Sequence, residues 1–411
     1  MPSRPPARAD TWAVRRAIAG ALALGAASGV NILNVGAVPD PLAEAYGVSL
    51  ATVGLFTTTL LVAHTAVQVP GGRAIDRFGA RRVGLLLLGV AAVGNALTTV
   101  APEPALVLGL RPLIGLSTGI GFVAGIAYIR AAGGSAVAQG VFGGVAMGGG
   151  GLALAVVPQL EPALDWRAPF VFGIGVSAAA ALVLLLGPRD ARAAEGTARA
   201  RVTTLEIAVD RRLARIVVLH TATFGSGLLI GSWVVALLVR LGHSQGVAGA
   251  IGALTLALTM VSRPLGGWLL HRYPHRIGRA LAGSLVLGAL GCAGLAAGGP
   301  VGAAVAAASA VGLGAGIAFA PVVTGTMHLR PDAPGAAVGA VNMWGNLVVL
   351  VATPLVGLAF SVPGGGRIAF LAIAALWAAA LLSLPGLRGL GVERSTVPTS
   401  RPADSGIRSR G

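Results

Sequence analysis

Two arginines stand where a charge is expensive. Arg111 and Arg263 lie inside long apolar runs, and a charge at the centre of a membrane helix costs about 2.5 to 3.5 kcal/mol even on lenient insertion scales. Neither has an acid within helical reach, and no Asp or Glu falls inside any apolar run. A cavity that holds arginine without a carboxylate is positively biased, so its natural ligand is an anion held by charge-assisted, often bidentate, hydrogen bonds. Arg263 is the candidate for binding a substrate. Arg111, nearer the outer end of its run, is a candidate for coupling or for a structural gate.

His64 and His220 are the other titratable groups inside apolar runs. Imidazole changes charge near neutral pH, which makes each a candidate proton carrier, with hydrogen-bonded packing as the alternative reading. Gln68, Asn31, Asn34, Tyr128, Trp233, Asn342, Trp344 and Asn346 are the candidates to line a path. Asn31 with Asn34, and Asn342 with Asn346, are spaced to share a helix face. Buried amides need partners, so each either faces a cavity or ties neighbouring helices together. His328 lies close to Arg330 and Asp332 and reads as an interfacial residue.

Other chemistries lack their residues. Cys292 is the single cysteine, which excludes an internal disulfide or a cysteine metal cluster. The run Gly148 to Gly151 is followed by no Lys-Ser/Thr pair and so is no phosphate loop. No nucleotide site, haem motif, metal site or Ser-His-Asp constellation is evident, and the expectation is a protein without cofactor or metal that is not an enzyme. A membrane-embedded enzyme would show paired catalytic groups at matching depth, and a receptor would show a signalling domain; neither is visible.

The elements that must position these residues follow from composition. The chain has 411 residues, of which 55% are hydrophobic and 11% charged, with a mean hydropathy of +0.83. A water-facing domain carries about 25% charged residues, so the bilayer is the natural solvent. Apolar windows of spanning length fall near 17–38, 50–72, 82–101, 105–129, 137–159, 168–187, 216–239, 246–270, 278–298, 300–327, 334–360 and 368–387. These predict an all-α membrane protein of twelve transmembrane helices, since open strands cannot satisfy their backbone in lipid. The expected organisation is a cytoplasmic tail over 1–16, a six-helix bundle over 17–187, a linker over 188–215, a second bundle over 216–387, and a disordered tail over 388–411.

The formal charge of +16 resembles that of a nucleic-acid binder until it is mapped. All 30 basic residues are arginine, and 25 fall in segments on one side, against Arg167, Arg240 and Arg367 on the other and two within spans. That bias places both termini in the cytoplasm of an inner-membrane protein. It forms no single basic stripe with interleaved aromatics, so no nucleic-acid partner is expected.

The two halves look duplicated. Gly71, Gly72 and Arg77 match Gly266, Gly267 and Arg272 at an offset of 195; Gly143, Val145, Met147, Gly149, Leu154 and Pro158 match Gly339, Val341, Met343, Gly345, Leu350 and Pro354 at 196; Arg167 with Phe170 matches Arg367 with Phe370 at 200. Parallel repeats about an axis normal to the membrane are a transporter architecture.

The run from Gly72 to Arg82, with Asp76, Arg77, Gly79, Arg81 and Arg82, resembles the first inner-loop signature of the major facilitator superfamily. Leu106 to Gly119, with Arg111 and Gly115, resembles that superfamily's fourth-helix pattern, with Ile114 in place of the usual Gln. Asp165-Trp166-Arg167 ahead of the sixth span is also familiar from that superfamily. The resemblance covers residues 15 to 387. It implies two six-helix bundles rocking about a central site, with alternating access and no ATP hydrolysis.

The signature's physical logic is a charge lock, in which Asp76 caps a helix N-terminus or pairs with arginine and Gly72 and Gly79 allow close approach. Gly267 and Arg272 would form the second-half gate, but His271 stands where Asp76 stands, so that copy is degenerate. Ser262 to Trp268 resembles the eighth helix of the superfamily's nitrate/nitrite-type anion porters, whose matching arginine in helix two is here Gln68.

The expected function is secondary transport of a small solute, favoured as a small anion of nitrate or cyanate type, with a coupled proton or counter-anion and a monomeric chain in the lipid bilayer. The alternative is proton-coupled efflux of a drug or antibiotic, and more remotely a receptor or enzyme.

Overall fold

The computed structural model describes residues 11–189 and 204–387. The expectations for residues 1–10, for the middle of the linker and for the tail from 388 onward lie outside the described residues.

Every regular element among the described residues is helical. The first half contains α1 (Thr11–Leu33), α2 (Pro39–Tyr46), α3 (Leu50–Ala66), α4 (Gln68–Phe78), α5 (Ala80–Thr98), α6 (Pro104–Ala131), α7 (Ala136–Leu164) and α8 (Ala168–Leu186). A short helix of the linker, α9 (Thr204–Ala208), leads to the second half. That half holds α10 (Arg211–His220), α11 (Ser226–Arg240), α12 (Gln245–Arg272), α13 (Ile277–Ala297), α14 (Val301–Ile317), α15 (Phe319–Leu329), α16 (Pro334–Phe360) and α17 (Gly365–Ala380).

Nine helical runs among the described residues are long and apolar enough to cross a membrane, one of them the continuous Ala136–Leu186 run that turns once at Asp165 and crosses twice. The second crossing is α3 continued by α4 across Val67, and the seventh is α10 continued by α11 through the π-helical turn Thr221–Gly225. Twelve crossings result, in two groups of six.

Local chemistry sets the ends. Ser49, Ser135 and Ser244 each cap a helix by accepting an amide hydrogen from the residue three positions on, at 3.2, 3.3 and 3.4 Å. Gly79 and Gly298 take positive φ at 92° and 77°, where a side chain would be strained. The first crossing is displaced from its expected place. It spans Thr11–Leu33, not 17–38, because Asn34 caps a 3-10 turn with its own side chain and Pro39 then begins α2 at a bend.

Packing relies on glycine. A Cβ at Gly266 would lie 1.9 Å from the Ile317 carbonyl oxygen, and one at Gly29 would lie 2.0 Å from that of Ala146. The obstacle in each case is backbone, which cannot swing aside. Gly266→Ala should therefore destabilise the second bundle by about 1–3 kcal/mol or more, whereas Gly283→Ala, whose Cβ meets nothing within 4 Å, should change little. Thermal unfolding of the two purified variants checks this; equal melting would contradict it.

Candidate functional site

Arg263 is buried, 2% exposed, on α12 beside Pro264. Its Nη1 donates to the carbonyl oxygen of Gly143 on α7, in the opposite bundle. Its guanidinium faces the ring of Phe319 at 4.5 Å and that of Phe224 at 5.7 Å, contacts that favour a cation shielded from water. Its Nε has no hydrogen-bond partner.

Phe224 reaches this position through the π-helical turn, an insertion that re-aims side chains and recurs at functional sites. Its ring stacks on His220, with centroids 4.9 Å apart and planes 11° apart. The His220 Nε2 lies 3.3 Å from Asn342 Oδ1 on α16. The other ring nitrogen, Nδ1, has no partner among the described residues. A small cavity adjoins the cluster, lined by His220, Asn342, Phe122, Phe319 and Val341 among others.

Gln68 completes the arrangement by symmetry. On the inner side, Gly72 of α4 packs on Gly335 and Gly339 packs on the Gln68 carbonyl; in the other half Gly267 of α12 packs on Ala136 and Gly140 packs on the Arg263 carbonyl. Gln68 is thus the packing equivalent of Arg263, and Asn342 of Gly143. The equivalence of α7 with α16 is therefore an offset of 199, which corrects the 196 read from the glycine, methionine and proline matches by about one helical turn. The sequence matches fell on a neighbouring turn because glycines recur so densely there. Gln68 is fully buried, and neither its Nε2 nor its Oε1 has a partner among the described residues.

Below this layer the inner ends are shut. Cβ positions at Gly72, Gly140, Gly267 and Gly339 would each lie 2.2 to 2.3 Å from backbone oxygen of the opposite bundle. Asp76 adds a charge lock across the halves, accepting the amide hydrogens of Gly335 at 2.9 Å and Ala336 at 3.1 Å. Helix α16 depends on this because its own N-cap, Ala333, has no side-chain acceptor. The matching end of α7 is capped by its own Ser135, and His271, in the last turn of α12, is exposed.

The remaining candidate gate residues serve a single bundle or its surface. Arg81 donates to the carbonyls of Leu184 at 3.1 Å and Leu185 at 2.7 Å, closing the C-terminus of α8. Arg77 lies over Phe78, Arg272 lies over Tyr273, Arg82 is exposed, and Gly79 makes the turn into α5.

Several candidates turn inward within one bundle, away from Arg263. Arg111 donates to the Phe56 carbonyl at 3.1 Å and to Asn34 Oδ1 at 3.2 Å, while Asn34 Nδ2 donates to the Pro169 carbonyl at 2.9 Å. Asn31 bonds Ser177 and accepts from Asn95. His64 Nδ1 meets Thr118 Oγ1 at 2.9 Å, and Tyr128 donates to the Pro188 carbonyl at 2.6 Å. In the second bundle Trp233 stacks on Phe360, Asn346 bonds the Asn342 carbonyl, and Trp344 donates to the Ala208 carbonyl of the linker helix.

Sequence reasoning missed Phe224, Phe319 and the Gly143 carbonyl. Phe224 carried a signal, since it stands four residues after His220 and so shares its helix face. A backbone carbonyl carries none.

A family model described as Major Facilitator Superfamily matches residues 19–353. The probable sulfoacetate transporter SauU of Cupriavidus necator is 25% identical over 145 residues, a match spanning 34% of each chain, about a third of that relative's length. Among solved structures, the E. coli fucose:proton symporter FucP is 17% identical, covering 89% of this chain and 98% of its own, with a TM-score of 0.69. The human organic anion transporter MFSD10 is 18% identical, covering 93% and 100%, with a TM-score of 0.66.

Proposed function

The chain belongs to the major facilitator superfamily and is a multi-pass membrane transporter; on that premise we propose that its cargo is a small organic anion bearing a carboxylate or sulfonate, carried by alternating access through the inner membrane with both termini cytoplasmic. The observation that carries this is Arg263: a buried guanidinium at the meeting of the two bundles, with an unpartnered Nε and, among the described residues, no salt bridge to a carboxylate. Arg330, by contrast, pairs with Asp210 and Asp332. A charge held in low dielectric without a counter-ion is incomplete, and an anionic solute completes it.

The partial likeness to a probable sulfoacetate transporter supports the same chemistry over the residues that match. Gln68 and the His220–Asn342 pair supply neutral hydrogen-bonding groups for the rest of the solute. His220 is the membrane histidine beside this site and the candidate for a coupled proton.

The inner ends are sealed by the glycine contacts and the Asp76 cap, so the site would load from the outer side in this state. The experiment is a transport panel in proteoliposomes: sulfoacetate, acetate and nitrate against a neutral sugar and a lipophilic cationic dye. Movement of the anions supports the reading. Movement of the dye without any anion would replace it with efflux of hydrophobic cations.

A further inference from the structure

The way Arg263 is held restricts both the headgroup it can take and the state in which it takes it. A guanidinium has five N–H donors in a rigid plane. Here the Phe319 and Phe224 rings lie 4.5 and 5.7 Å from its central carbon and take up space around it. Within that plane Nη1 is spent on the Gly143 carbonyl, while Nε is buried without an acceptor and Nη2 makes no hydrogen bond in the structure. The side left without partners is the Nε–Nη2 edge.

We propose, building on the anion reading, that the solute docks on this edge through two oxygens of one headgroup while the Gly143 carbonyl holds the arginine in place from the opposite bundle. Two parallel N–H···O bonds match a carboxylate or a sulfonate and have no counterpart for a monatomic anion. Gly143 is therefore a positioning residue for Arg263. Its lack of a side chain also matters, because a Cβ there would lie 2.3 Å from the Phe319 ring beside the guanidinium.

A conformational consequence follows from where these groups sit. Arg263 is on α12, Gly143 is on α7, and Gly140 packs on the Arg263 carbonyl at the inner seal. When α7 and α12 part, the carbonyl leaves the guanidinium and the prearranged edge is lost. The anion thus binds tightly in the inner-sealed state and weakly after the inner end opens. By linkage, the anion must favour the sealed state by the same factor. An alternative with the opposite sign exists, in which the anion displaces the Gly143 carbonyl and so unlatches the inner end.

Spin labels at Ala131→Cys and His275→Cys, both on exposed inner positions, in a Cys292→Ser background report the distance between the inner ends of α6 and α12. Pulsed dipolar spectroscopy with sulfoacetate, acetate or chloride as probes should show the two organic anions raising the short-distance population about tenfold relative to the long one, with chloride inert. Gly143→Ala should weaken sulfoacetate binding by a similar factor, and Arg263→Lys, which keeps the charge but loses the planar edge, should remove the preference over chloride.

A shift to longer distances on adding anion would overturn the proposal in favour of displacement. Equal competition by chloride would overturn the two-oxygen headgroup. Both outcomes leave the anion reading standing. If none of the three anions binds or is carried by the otherwise unmodified protein, the anion reading falls and this inference falls with it.

Discussion

Gly140→Val should yield a folded protein that cannot close its inner end. The Cβ would sit 2.3 Å from the Arg263 carbonyl oxygen and 2.8 Å from both its carbonyl carbon and Pro264 Cα. All three obstacles are backbone of α12, so no side-chain rotation relieves them. Overpacking against atoms that can yield costs about 1–3 kcal/mol, and here the cost falls on one state only, because separated inner ends leave the added methyls in open space. The equilibrium should move toward the inner-open form by at least one to two orders of magnitude, at about 1.4 kcal/mol per factor of ten. Uptake from the outer side should drop to background while yield and monodispersity are retained. The inner-end labels should report only the long distance. Gly151→Val, whose Cβ meets nothing within 4 Å, is the control. Normal uptake by Gly140→Val with the short distance intact would show that the seal is not built from this contact.

Arg263→Gln should remove transport of the preferred anion by about a hundredfold or more. Hydrogen bonds to a charged group contribute about 1.5–3 kcal/mol each, and two are lost together with the charge. Glutamine can still donate to the Gly143 carbonyl, so the variant should keep its fold and its inner seal. The loss should appear in anion binding as well as in maximal rate.

Arg111→Gln provides the contrast between the two intramembrane arginines. Arg111 ties α6 to the Phe56 carbonyl and to Asn34 within one bundle, so its loss should lower yield and thermal stability while any surviving protein keeps its selectivity. Uptake assays beside melting curves for both variants separate these roles. Equal uptake by Arg263→Gln and the unmodified protein would end the anion-site assignment.

The fold was legible because lipid imposes few solutions. Runs of apolar residues of spanning length must be helices. The intramembrane arginines were also legible, since charge in a long apolar run is conspicuous. Partnership was not. Asn31 and Asn34 share a helix face, but spacing does not reveal that the face meets Asn95, Ser177 and Arg111 of the same bundle. Gly143 acts through a carbonyl, which every residue possesses, and Phe224 acts through an extra residue in the turn of its helix. The offset of 196 for α7 and α16 failed for a related reason: in glycine-rich helices the pattern repeats on adjacent turns, and the packing of Gly140 on Arg263 against Gly339 on Gln68 decides which turn is equivalent.

The degenerate second gate is explained by the helix ends it would have to serve. Asp76 supplies the cap that Ala333 cannot, whereas Ser135 caps α7 unaided and leaves position 271 with no carboxylate to provide. One lock across the halves is therefore enough at this end of the molecule.

The central claim is that a small oxyanion occupies Arg263 at the meeting of the two bundles. Counterflow tests it most directly: proteoliposomes loaded with unlabelled sulfoacetate and diluted into a trace of labelled sulfoacetate, with Arg263→Gln run beside the unmodified protein. The prediction is a transient accumulation of label by the unmodified protein that acetate competes down and that Arg263→Gln lacks. Accumulation of equal size in both proteins, or its suppression by a lipophilic cation but by no anion, would contradict it.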